Sequence, residues 1–207
     1  MNNMTNADQR YNVFDGHNDV LLDLFASEPS DSGNAFSFFE RSNYRHLDLP
    51  RAMDAGFLGG LFAIMVPSPK EKQSEPPEKL PGTWAMPYPE ALDYRYSQSK
   101  AMAILDGIHR LEAESGGRIA IVRTVADIIH CFERGILGMG IHFEGAEPIA
   151  PDLDNLQEYY DQGLRSVGIV WSRPNAFAHG VPIRFPGDPD TGPGLTDAGK
   201  HLVTACN

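Results

Sequence analysis

The chain has 207 residues, and 17 Lys plus Arg against 28 Asp plus Glu leave a net charge of −11. That acidity argues against a nucleic-acid partner or an anionic membrane surface, both of which select basic faces. With 42% hydrophobic residues the chain has enough apolar matter for a core, and its two cysteines, Cys131 and Cys206, rule out a disulfide framework or a thiolate zinc cluster.

The opening residues are polar, so residues 1–12 read as a flexible tail without a secretory segment. A soluble cytoplasmic protein without membrane partners is the expectation. Val13 and Phe14 open a short strand that runs into Asp15-Gly-His17-Asn-Asp19, and residues 27–46 read as loop. Asp48 to Gly56 predicts a short helix, with Asp48 as N-cap, Pro50 in the first turn and Gly56 as the stop. The apolar run 57–66 predicts a buried strand. Residues 67–89 are Pro-rich and read as a long loop. A helix is expected over 90–115, a strand over 118–122, and a helix over 124–135 with Thr124 and Asp127 in a capping box. Then come a strand over 136–145, a helix over 153–163 and a strand over 164–171. A second long loop spans 172–194, and LTDAGKHLVTACN begins a last helix.

Strands alternating with helices predict an α/β fold with a parallel sheet. About five strands are present, whereas a closed (β/α)8 TIM-type barrel takes roughly 250 residues. The expectation is residues 13–207 as the N-terminal part of such a barrel, with loop insertions at 67–89 and 172–194. Unpaired edge strands would then favour oligomers or pairing with another chain.

Two strand ends carry candidate chemistry. In the first, strand alternation would put Asp15, His17 and Asp19 on one face, where an imidazole and a carboxylate form a clamp for a divalent cation of the zinc type. In Ile141-His142-Phe143-Glu144-Gly145, His142 and Glu144 share the other face from Ile141 and Phe143. A buried carboxylate needs a cation or donors, and one carboxylate can bridge two metals. In a parallel sheet both clusters would lie at the C-terminal edge, where active sites of this architecture form. The alternatives are a surface turn for the first cluster and an ordinary strand end for the second.

The segments VFDGHNDVLLDLF, GIHFEGAEPI, DQGLRSVGIVWSRPNAFAHGVP and GPGLTDAGKHLV resemble the membrane (renal) dipeptidase family of zinc peptidases, of amidohydrolase type, in its bacterial branch. The likeness runs from about Val13 to Asn207. It implies a (β/α)8 metallohydrolase that cleaves small dipeptides with two zinc ions and a bridging hydroxide. Carried over, His17 and Asp19 bind the first zinc and Glu144 bridges both. The remaining zinc ligands and the acid/base aspartate are expected beyond residue 207, so half the site is missing from the chain. Where many members place a histidine, this sequence has Trp171. With Arg173, Asn175 and His179 it is expected to line the substrate pocket, while Asp15 and His142 orient the ligands. A related hydrolase of other small amides or lactones, an inactive fragment, a homo-oligomer and a partner supplying the C-terminal half are the competing expectations.

Overall fold

The computed structural model describes residues 11–26, 37–69 and 78–207. Residues 1–10 of the expected tail and 27–36 of the first loop lie outside them. The fold is a parallel sheet with helices in its crossovers. Strand β1 (Val13–Asn18) pairs with β2 (Phe57–Ile64), and β2 with β6 (Leu137–Glu144). On its other edge β6 carries two partners. The short β5 (Ile119–Ile121) lies beside Leu137–Met139, and β7 (Leu164–Gly168) lies beside Ile141–Glu144. All four pairings are parallel, so the strands share one C-terminal edge. Among the described residues, β1 pairs only with β2 and β7 only with β6.

The helices form where local signals and burial agree. Asp48 caps α1 (Leu49–Ala55), accepting from the backbone N–H of Arg51, and its buried carboxylate also takes Ser42 N–H and Arg51 Nε at 2.5 Å. Helix α2 (Tyr94–Glu114) buries Ala101, Ile104, Leu105 and Ile108 on one face. Helix α3 (Val125–Arg134) has the expected capping box of Thr124 and Asp127. Gly56, Gly135 and Gly163 terminate α1, α3 and α4 (Leu156–Gln162) in the left-handed conformation. The last helix, α5 (Asp197–Ala205), starts at Thr196. The core is built on Phe62, Ile64, Leu137, Met139, Ile141 and Phe143, with Tyr159 of α4 packed edge-on against Phe143 at 4.9 Å between ring centroids.

Several expectations need correction. The two long loops are not wholly irregular. β3 (Glu78–Leu80), β4 (Thr83–Ala85) and β8 (Arg184–Phe185) form a small antiparallel sheet that joins them. The hairpin closes through Pro81-Gly82, where Gly82 has φ 78°; proline presets the first turn position and glycine accepts the second. Met86 N–H donating to Ile183 O at 2.8 Å and Tyr88 OH to Gly180 O at 3.0 Å extend the junction. β7 stops at Gly168 rather than at Trp171, and α2 starts at Tyr94, where Asp93 accepts from Tyr96 N–H. Residues Leu22–Ala26 form a π-helical turn directly after the first cluster.

Burial alone would raise the Asp48 carboxyl, but its hydrogen bonds to Ser42 and Arg51 outweigh that and hold it below the ordinary carboxylate range. A carboxyl depressed on folding contributes stability above its unfolded value and loses it as pH falls through the folded value. Asp48→Asn is therefore expected to cost about 1–2 kcal/mol at neutral pH and to flatten the acid limb of a urea-denaturation series. An unchanged acid limb would contradict this.

Candidate metal centre

β1 and β6 deliver the two clusters to the same rim. β1 does so irregularly: its register against β2 shifts between Asp15 and Asn18, and the strand ends at Asn18. Asp19 therefore lies past the strand, in the turn into the helical segment, and simple alternation does not place it. It still reaches His17, whose Nε2 is 3.3 Å from Asp19 Oδ1 and 3.3 Å from Glu144 Oε2. One ligand atom from each of His17, Asp19 and Glu144 lies within 4.8 Å of the others. Asp19 and Glu144 are 125 positions apart in sequence.

β6 alternates cleanly. Ile141 and Phe143 are wholly buried in the core, while His142 and Glu144 turn to the half-open side. Glu144 Oε2 is buried and, despite its proximity to His17, has no aligned hydrogen-bond donor among the described residues. Burial pushes the Glu144 carboxyl above its ordinary value; Asp19 adds to the rise and His17 opposes it. An orphaned buried carboxylate oxygen beside a second carboxylate and an imidazole suits a divalent cation. The cation would relieve both the desolvation and the repulsion, and the nitrogen–oxygen donor set suits zinc.

His142 packs edge to face on His17, with ring centroids 5.4 Å apart, and its Nδ1 is 2.9 Å from Ser166 Oγ on β7. Burial, then the neighbouring His17, holds the His142 imidazole below its ordinary value, so it is neutral at neutral pH. Asp15 accepts from Asn18 Nδ2 at 3.4 Å. Gly145 has φ 100°, and a Cβ there would lie 2.1 Å from Glu147 Oε2, so the turn after Glu144 requires glycine.

The residues expected to line a pocket follow β7. Trp171 carries a buried indole N–H without a partner among the described residues. Arg173 is buried and faces Glu147 at 3.4 Å. Asn175 is spent on its own turn, donating to Ile169 O at 2.7 Å and accepting from Phe177 and Ala178 N–H. His179 is exposed. Sequence reasoning passed over Ser166 and Glu147. Ser166 had no signal beyond its place on a strand beside β6. Glu147 had one, an acid inside the otherwise apolar Ala146–Ala150 stretch.

The model of the family described as membrane dipeptidase, peptidase family M19, matches residues 1–207. The chain belongs to that family. It is 42% identical, with TM-score 0.81 over 96% of its length, to a crystal structure of dipeptidase AC, a metallo peptidase of family M19, and spans 54% of that chain. It is equally 42% identical, with TM-score 0.81, to a metallo peptidase from Rhodobacter sphaeroides liganded with a phosphinate mimic of the dipeptide L-Ala-D-Ala, and spans 56% of it. A protein from Acinetobacter calcoaceticus described as lying in the PQQ-III 3′ region is 40% identical over 196 residues, 59% of its length. The chain thus spans between half and two thirds of these relatives. The family is one of metal-dependent hydrolases, and among the described residues no helix is long and apolar enough to cross a membrane.

A buried carboxylate without a donor destabilises the metal-free fold. Glu144→Gln is expected to raise the melting temperature of metal-stripped protein by roughly 2–4 °C, the equivalent of about 1 kcal/mol in a chain of this size. Calorimetry showing a lower melting temperature for this variant would contradict the reading of the site.

Proposed function

We propose that the chain carries the first half of a binuclear zinc dipeptidase site. The observation that supports it is the convergence of His17, Asp19 and Glu144 within 4.8 Å, at the shared C-terminal edge of a sheet in a member of this family. His17 and Asp19 would hold the first zinc, and Glu144 would be shared with the second. Further ligands of the second ion and an acid/base aspartate would have to come from the part of the relatives' length that the chain does not span. Small dipeptides are the proposed substrates, a reading supported by the dipeptide mimic bound to the Rhodobacter sphaeroides relative.

Zinc in such a site polarises a scissile carbonyl and makes water acidic enough to attack near neutral pH. The protein's own groups do the rest. His17 presents Nε2 toward the two carboxylates, 3.3 Å from Asp19 Oδ1 and 3.3 Å from Glu144 Oε2. The neutral His142 ring, tied at Nδ1 to Ser166, braces the His17 plane. Asp19, more exposed than Glu144 at 58% against 21% of the side chain, forms the solvent side of the clamp. The joined loops carrying β3, β4 and β8 are the place for substrate side-chain selection.

Zinc titration of the metal-stripped chain by calorimetry is expected to show one ion per chain, with binding weakened at least about a hundredfold in His17→Ala, which removes a direct ligand. With the C-terminal half of a relative supplied, L-Ala-D-Ala hydrolysis is expected for the wild type and absent in Glu144→Ala. Undiminished zinc binding in His17→Ala, or hydrolysis at the wild-type rate in Glu144→Ala, would overturn the proposal.

A further inference from the structure

A buried ion pair lies behind the bridging carboxylate. Arg173, 4% exposed, reaches back from the segment after β7 and binds three groups at once. Its Nη1 donates to Val66 O at 3.0 Å and to Glu147 Oε1 at 3.4 Å, and its Nη2 donates to Ser68 Oγ at 3.1 Å. Val66 and Ser68 follow β2, and Glu147 follows β6. One guanidinium therefore ties together the chain leaving three strands, at the edge where His17, Asp19 and Glu144 meet. The far oxygen of Glu147 fills the space against Gly145 that a Cβ would take, immediately behind Glu144, and is itself buried without a donor among the described residues.

A pair this dry is a poor way to gain stability, because desolvation offsets most of its attraction. Its geometry serves another end. The turn Glu144-Gly145-Ala146 is pinned on one side by Gly145 and Ala146 N–H donating to Gly168 and Ile169 O, at 2.9 and 3.0 Å. On the other side it is backed by the Glu147 carboxylate, which Arg173 holds in place. We propose that Glu147 and Arg173 are positioning residues that aim Glu144 at the metal, the guanidinium acting as a rigid three-way tie. The inference rests on the metal reading of His17, Asp19 and Glu144.

The probe is cobalt(II), titrated into the metal-stripped chain and read both as a dissociation constant and as the visible absorption band of the bound ion. The test variant is Glu147→Gln with Arg173→Met. It removes both charges together and so leaves no orphaned ion in the interior. It is expected to unfold cooperatively like the wild type, to bind cobalt about 10–100-fold more weakly, and to show a shifted band. If it fails to fold, Arg173→Lys takes its place, since lysine keeps the charge opposite Glu147 but cannot span all three acceptors; the same loss is expected. A folded variant with the wild-type constant and band would overturn the positioning role alone. A wild-type chain that takes up no cobalt would overturn the metal reading, and this inference with it.

Discussion

The site depends on electrostatic crowding at one rim of the sheet. Two carboxylates and an imidazole are brought within 4.8 Å of one another, and one of the carboxylate oxygens is buried without a donor among the described residues. Left alone, such a group is unfavourable: burial raises the proton affinity of Glu144, and Asp19 raises it further. A divalent cation turns each of these liabilities into a bond. The fold supports that arrangement through the four parallel pairings that align the strand ends, and through a core of Ile141, Phe143 and Tyr159 beneath them.

Around the donors, the structure spends its polar groups on orientation. Ser166 fixes the His142 ring, His142 packs on His17, and the turn at Gly145 is held from both sides. A second carboxylate, Glu147, is buried more deeply than Glu144 and has its own cation in Arg173. The contrast is informative. The acid that has an internal counter-charge faces into protein, and the acid that lacks one faces the two other donors. Solved metallo peptidases share the fold of this segment at TM-score 0.81.

Much of this was legible before any coordinates. The continuous apolar run 57–66 marks β2, and the polar signals at Asp48, Thr124 and Asp127 mark the helix starts, because each depends on residues close in sequence. The pairing of His17 with Glu144 followed from strand parallelism once both sat at strand ends. What was not legible depends on distant partners or on local irregularity. Asp19 reaches the cluster from beyond the strand, through a register shift that alternation does not encode. β5 sits on the far edge of β6, below β7, which the order of elements alone does not reveal. The Pro81-Gly82 turn was visible, yet its hairpin is completed by Arg184 and Phe185 roughly a hundred residues later. For Arg173 the sequence leaves a pocket role and a structural salt bridge equally open, because its three acceptors come from two other segments.

The central claim is that one divalent ion sits among His17, Asp19 and Glu144. It is tested most directly by crystals grown with zinc and measured on both sides of the zinc absorption edge. The account predicts an anomalous peak present only above the edge, roughly 2.0–2.2 Å from His17 Nε2 and from an oxygen of both Asp19 and Glu144. Zinc-replete crystals without a peak among those three side chains, or with the peak elsewhere on the chain, would contradict it.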